Sequence, residues 1–139
     1  MARTLDMKLI RYLNLFEKIT GVRTQHCFCY NQIIIFVVPK QLMAKALGEG
    51  GKNVRRLSEI LEKKVKVIIT ASERENMEEF IEAIVYPVKF KNIGIKDDVV
   101  IISAGMQSRA ALIGRDKKRL DEMKDILQQY FNIKDVRIA

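Results

Sequence analysis

The sequence predicts an α/β chain of the α+β type, built as two tandem α-β-β-α-α-β units, each a three-stranded sheet covered by helices on one face. Three observations predict it. Shifting the chain by 66 residues lays Ile33–Leu61 on Val99–Leu127 without a gap, and seven of the 29 pairs are identical. They are Ile35/Ile101, Gln41/Gln107, Ala44/Ala110, Gly48/Gly114, Lys52/Lys118, Ile60/Ile126 and Leu61/Leu127. Most other pairs keep apolar character, as Val54/Leu120 and Leu57/Met123 do, which marks an internal duplication. Each copy also opens with an amphipathic helical stretch, and each has a glycine-led loop ahead of a longer helix. The units are residues 1–71 and 72–139, meeting near Thr70–Ser72 with almost no linker.

The elements follow in order. Leu5, Leu9, Tyr12, Leu13, Phe16 and Ile19 repeat at helical spacing, and "ITG" stops that helix at Gly21. A strand over Arg23–Tyr30 turns at "YNQ" into a second over Ile33–Val38, whose run "IIIFVV" suits a strand covered on at least one face. A short helix, the glycine loop, a longer helix and a last strand at Val65–Ile69 complete the unit. In the second copy, Ser72 caps a helix bearing Met77, Phe80, Ile81 and Ile84, which "YP" ends at Pro87. Strands over Val88–Ile95 and Val99–Ser103 meet at "KDD", and Val136–Ile138 is the last strand.

Composition narrows the functional classes. The 139 residues are 48% hydrophobic and 30% charged, the balance of an ordered soluble protein. No apolar run approaches the ~20 residues needed to span a bilayer, and "MARTLDMKLI" lacks the apolar core of a secretory signal. A cytoplasmic location without membrane contact is expected. The net charge of +8 is not evenly spread. Residues 1–70 carry 13 Lys+Arg against 5 Asp+Glu, whereas residues 71–139 carry 12 of each. The whole excess lies in the first copy, as suits a face that meets a polyanion.

The pair Cys27 and Cys29 cannot make a disulfide framework. On one strand they point the same way about 7 Å apart, too far for an easy bridge. With His26 the stretch "HCFCY" offers at most three metal ligands, and strand alternation sends the imidazole to the other face. Two buried structural cysteines are the expectation, with no metal or cofactor.

The loop "ALGEGGKNVRRLSEIL" puts Gly48, Gly50 and Gly51 directly before a helix starting near Lys52. A helix start exposes unpaired N–H groups and a partial positive charge, and glycines let a phosphate approach the backbone. Lys52, Arg55 and Arg56 add charge there. Nucleotide-binding loops of the dinucleotide and P-loop types follow a strand, whereas this one lies between helices and lacks the G-x-x-x-x-G-K-[ST] spacing. The pattern suits a sugar-phosphate backbone. The bland alternative is that Gly48 is a helix C-cap and the rest an ordinary turn.

A G-x-x-G between two helices, preceded by β-β-α and followed by α-β, resembles the prokaryotic-type KH RNA-binding fold. Two in tandem resemble the KH pair of the NusA transcription factor family, in its compact archaeal form, over nearly the whole chain. The resemblance implies single-stranded RNA as ligand and transcription elongation or termination as the process. It places the first RNA-contacting loop on Gly48, Glu49, Gly50 and Gly51, with Lys52, Arg55 and Arg56 beside it. The second falls on Gly114, Arg115, Asp116 and Lys117, with Lys118 and Arg119. Glu49 and Asp116 depart from the basic preference of such loops, and Lys117 replaces the last glycine. RNA contact is therefore expected chiefly at the first loop. The resemblance also implies base contacts from Ala46, Leu47, Val54 and Ile68, which can equally be core residues.

No catalytic constellation is legible. Nucleophilic catalysis wants a base near Ser or Cys, and the single histidine lies in a strand. Glu73, Glu75, Glu78, Glu79 and Glu82 read as a solvated helix face. The expectation is a non-enzymatic RNA-binding factor, monomeric, with RNA polymerase as a second partner. The alternatives are a ribosome-associated or rRNA-maturation KH protein, and a polymerase-docking module working through the neutral second copy.

Overall fold

A computed structural model of the chain describes residues 7–71 and 74–139. It divides into two compact units, Met1–Thr70 and Ala71–Ala139. Leu5 of the expected first helix and the expected cap Ser72, like Glu73, lie outside the described residues.

In the first unit α1 (Met7–Thr20) precedes β1 (Cys27–Tyr30) and β2 (Ile33–Val38). Then come α2 (Met43–Leu47), a single 3-10 turn at Glu49–Gly51, α3 (Lys52–Leu61) and β3 (Val65–Ile69). Gly21 ends α1 with φ 74° and donates its N–H to Glu17 O at 2.8 Å. The Thr20 hydroxyl donates to Phe16 O and accepts from the Val22 N–H, so the buried helix end is satisfied. Asn31 and Gln32, both with positive φ, make the tight hairpin turn into β2. The sheet order is β1-β2-β3, antiparallel between β1 and β2 and parallel between β2 and β3. A parallel pair needs a crossover, and α2 and α3 provide it.

The helices share one core with one face of that sheet. Tyr12 and Phe16 of α1, Ala46 of α2 and Leu57 of α3 cluster with Cys27, Ile34, Phe36, Val38 and Val67. The Phe16 and Phe36 rings stack at 4.3 Å. All five residues Ile34–Val38 are buried, as the uninterrupted apolar run anticipates.

The second unit repeats the order. Its elements are α4 (Met77–Val85), β4 (Asn92–Lys96), β5 (Val99–Ser103), α5 (Met106–Ile113), a 3-10 turn at Arg115–Lys117, α6 (Lys118–Phe131) and β6 (Asp135–Ile138). The sheet order is β4-β5-β6, with the same antiparallel and parallel pairings. Asp97 and Asp98 at positive φ form the hairpin turn. Phe80 of α4 stacks on Tyr130 of α6 at 4.6 Å and meets Phe131 edge-on. Val100, Ile102 and Val136 alternate with more exposed neighbours, so this sheet buries one face more deeply than the other.

Three expectations need correction. The first strand begins at Cys27, not Arg23: opposite Val37 the His26 N–H donates to the Thr24 hydroxyl, which itself donates to the Val37 carbonyl, so the ladder starts later. The fourth begins at Asn92, because the Val88 N–H is spent on a turn back to Val85 O at 2.9 Å. Cys27 is buried but Cys29 is exposed. Alternation fixes the direction of Cys29 but not its depth, and it sits beside the hairpin turn on an edge strand. Among the described residues no group of three or more ligating side chains could hold a metal ion.

Candidate nucleic-acid interface

Each glycine loop is a tight junction between two helices. Gly48 closes α2 by donating its N–H to Ala44 O at 3.0 Å, and the Gly51 N–H returns to Gly48 O at 3.0 Å. Gly114 closes α5 on Ala110 O at 2.9 Å, and the Lys117 N–H returns to Gly114 O at 3.2 Å. The backbones match closely. Gly48 has φ 76°, ψ 166° and Gly114 φ 75°, ψ 172°, a region open essentially to glycine alone. Gly50 and Asp116 are both left-handed, at φ 61°, ψ 21° and φ 55°, ψ 29°. Gly51 and Lys117 follow at φ 74°, ψ 20° and φ 63°, ψ 21°.

Packing reinforces the demand at the first loop position. A Cβ on Gly48 would stand 2.8 Å from Asn53 Cγ, and one on Gly114 2.6 Å from Arg119 Cγ. Asn53 in turn donates its Nδ2 to Lys45 O at 3.2 Å, tying α3 back to α2 across the loop. At Gly50 a Cβ would meet nothing within 4 Å. That explains how Asp116 fits the same backbone.

The charged groups divide unevenly. Glu49, Gly50, Lys52, Arg55 and Arg56 are exposed around the first loop, with Gly51 half-buried between them. Arg55 Nη1 donates to the Gly50 carbonyl, so this guanidinium is anchored on the loop itself. At the second loop Arg115, Asp116, Lys117 and Lys118 are exposed. Arg119 is not: its side chain is 13% exposed and Nη1 pairs with Glu122 Oε1 at 2.7 Å. Beside this loop a shallow groove of about 640 Å³ is lined by Arg115, Asp116, Lys118, Asp121, Glu122 and Asp125, four carboxylates to two cations.

Reading one loop at a time missed this contrast. The register that pairs Lys52 with Lys118 also pairs Arg55 with Asp121 and Arg56 with Glu122. Two cations beside the first loop are two carboxylates beside the second. Of the candidates for base contact, Ala46 and Ile68 are buried, whereas Leu47 and Val54 are half-buried against the first unit's core. Glu75, Glu79 and Glu82 are exposed and Glu78 is half-buried. No helix of the described residues is long and apolar enough to cross a membrane.

No protein-family model matches the chain. Relatives do. A probable transcription termination protein NusA of Methanococcus vannielii is 28% identical over 139 residues, covering 97% of this chain and 79% of that protein. One of the same description from Halococcus morrhuae is 26% identical over 142 aligned positions, covering both chains fully. The crystal structure of APE1850 superposes with a TM-score of 0.65 at 26% identity, covering 97% of this chain and all of the other. In sequence along almost its full length, this chain is similar to the archaeal proteins named probable transcription termination protein NusA.

Proposed function

We propose that the chain is a cytoplasmic, non-enzymatic transcription elongation or termination factor that binds single-stranded nascent RNA through two tandem KH units of the prokaryotic type. The observation that carries this reading is the first loop. A turn ending in two left-handed glycines, Gly50 and Gly51, opens onto the start of a ten-residue helix, with Lys52 and Arg56 exposed beside it. In this reading the loop and cations clamp the phosphates, and the half-buried Leu47 and Val54 flank the bases. The α-β-β-α-α-β order in both units and the names of the relatives support it.

The second unit favours an added role. Its charge balance is zero, and carboxylates stand where the first unit has Arg55 and Arg56. A surface of that kind suits docking on RNA polymerase better than it suits RNA. Direct binding tests the main reading: a single-stranded RNA should bind in preference to a perfect RNA duplex, because a backbone clamp needs bases that splay out. Equal affinity for the duplex overturns the KH reading. Capture of polymerase with the nascent transcript, rather than of ribosomal subunits, separates the transcription role from a ribosomal one.

A further inference from the structure

Two adjacent left-handed glycines are a poor way to hold a shape. Glycine loses more backbone freedom on ordering than any other residue, so Gly50–Gly51 would flex unless something outside the backbone fixed it. The structure supplies such a group. Arg55 lies one turn into α3, and helix side chains lean toward the N-terminus, which carries its guanidinium back over the loop. Nη1 donates to the Gly50 carbonyl, and a Cβ on Gly51 would lie 3.6 Å from the same nitrogen. The guanidinium therefore covers both flexible residues.

The second loop solves the problem differently. The residue in the register of Arg55 is Asp121, and an ionised carboxylate cannot donate to a carbonyl. There Asp116 and Lys117 occupy the left-handed positions, with side chains that limit the backbone at the cost of strain. One loop is glycine-rich and clasped. The other is glycine-poor with no arginine at the clasp position.

We propose that Arg55 is a positioning residue: it clasps the Gly50 carbonyl and holds the first loop in its ligand-accepting shape before RNA arrives, leaving Lys52 and Arg56 as the cations that meet phosphate. The last clause rests on the RNA-binding reading above; the clasp itself does not.

Two measurements on the full chain test it. Without RNA, backbone ¹⁵N order parameters at Gly50 and Gly51 should fall from about 0.8 toward 0.6 in Arg55→Ala. They should recover in part in Arg55→Lys, whose ammonium can also donate. Ile34 and Leu57, in the core of the same unit, should stay unchanged in both variants and so report an intact fold. Unchanged values at Gly50 and Gly51 in Arg55→Ala overturn the clasp. With single-stranded RNA, Arg55→Ala should weaken binding by a factor of about three to ten at every salt concentration, leaving the slope of log K against log salt intact. A slope smaller by about 0.7 makes Arg55 a direct phosphate ligand and overturns the positioning role. If the parent chain binds no RNA at all, the functional reading fails while the order parameters still decide the clasp.

Discussion

Arg119 packs its side chain against the bare face of Gly114: a Cβ there would lie 2.6 Å from its Cγ and 2.9 Å from its backbone nitrogen. The backbone atom cannot swing away as a side-chain tip can. At Gly48 the nearest atoms belong to the Asn53 and Lys52 side chains, which can give a little. Both glycines also hold a conformation that L residues avoid. Gly114→Ala should therefore destabilise the fold by about 2–3 kcal/mol and Gly48→Ala by about 1–2 kcal/mol, read as midpoint shifts in urea unfolding. An unchanged midpoint for Gly114→Ala would show that the loop relaxes freely.

Gly50→Asp separates binding from folding. A Cβ at Gly50 meets nothing within 4 Å, and Asp116 already occupies the matching backbone, so the cost should be only that of the left-handed conformation, about 1–2 kcal/mol. The added carboxylate faces the proposed phosphate site and should weaken RNA binding about tenfold. Asp116→Gly should leave affinity unchanged or better. Parent-like binding by Gly50→Asp, with binding abolished in Arg115→Ala, would assign the RNA site to the second loop.

Acid should loosen the second unit through Asp98. Its carboxylate accepts from Arg74 Nη1 at 2.7 Å, and that hydrogen bond, then the charges of Arg74 and Lys134, holds its pKa below the usual value. A group depressed in the folded state stabilises it above its unfolded pKa, about 3.9, and that contribution is lost as pH falls through the lower folded value. Asp98→Asn keeps a residue that tolerates φ 62° but removes the charge. The melting temperature of the variant should lie below the parent's at pH 6, and the gap should narrow as pH falls below the unfolded value, about 3.9. A gap that persists in acid would assign the effect to packing.

Phe16 anchors the first unit's core. It is fully buried and stacked on Phe36. Phe16→Ala should cost about 3–5 kcal/mol in denaturant unfolding. A loss below ~1 kcal/mol would mean that the helix layer is not what holds that sheet.

Much of the fold was legible because periodicity is a dense signal. Ile33–Val38, Val65–Ile69 and Val99–Ser103 run between the expected residues, since apolar runs bounded by turn residues leave little choice. The strand starts at Cys27 and Asn92 were hidden, because a Thr24 hydroxyl and a turn at Val85–Val88 replace ladder bonds, and neither has a periodic signature. The depth of Cys29 was likewise invisible to alternation. At the loops, residue type marked the glycines and cations. It could not show that Arg55 turns inward to Gly50 or that Arg119 is taken by Glu122, since both depend on rotamers set by the folded neighbours.

The matched dihedral angles of the two loops make them interchangeable parts. "GEGG" and "GRDK" fill one template whose fixed point is the leading glycine, so the three positions after it can diverge while the helices on either side stay in register. A duplicated chain of this kind can hold one copy to its original ligand and let the other drift, by three-residue cassettes rather than by remodelling. Exchanging 49–51 with 115–117 is then a transplant of charge between two sockets of one shape.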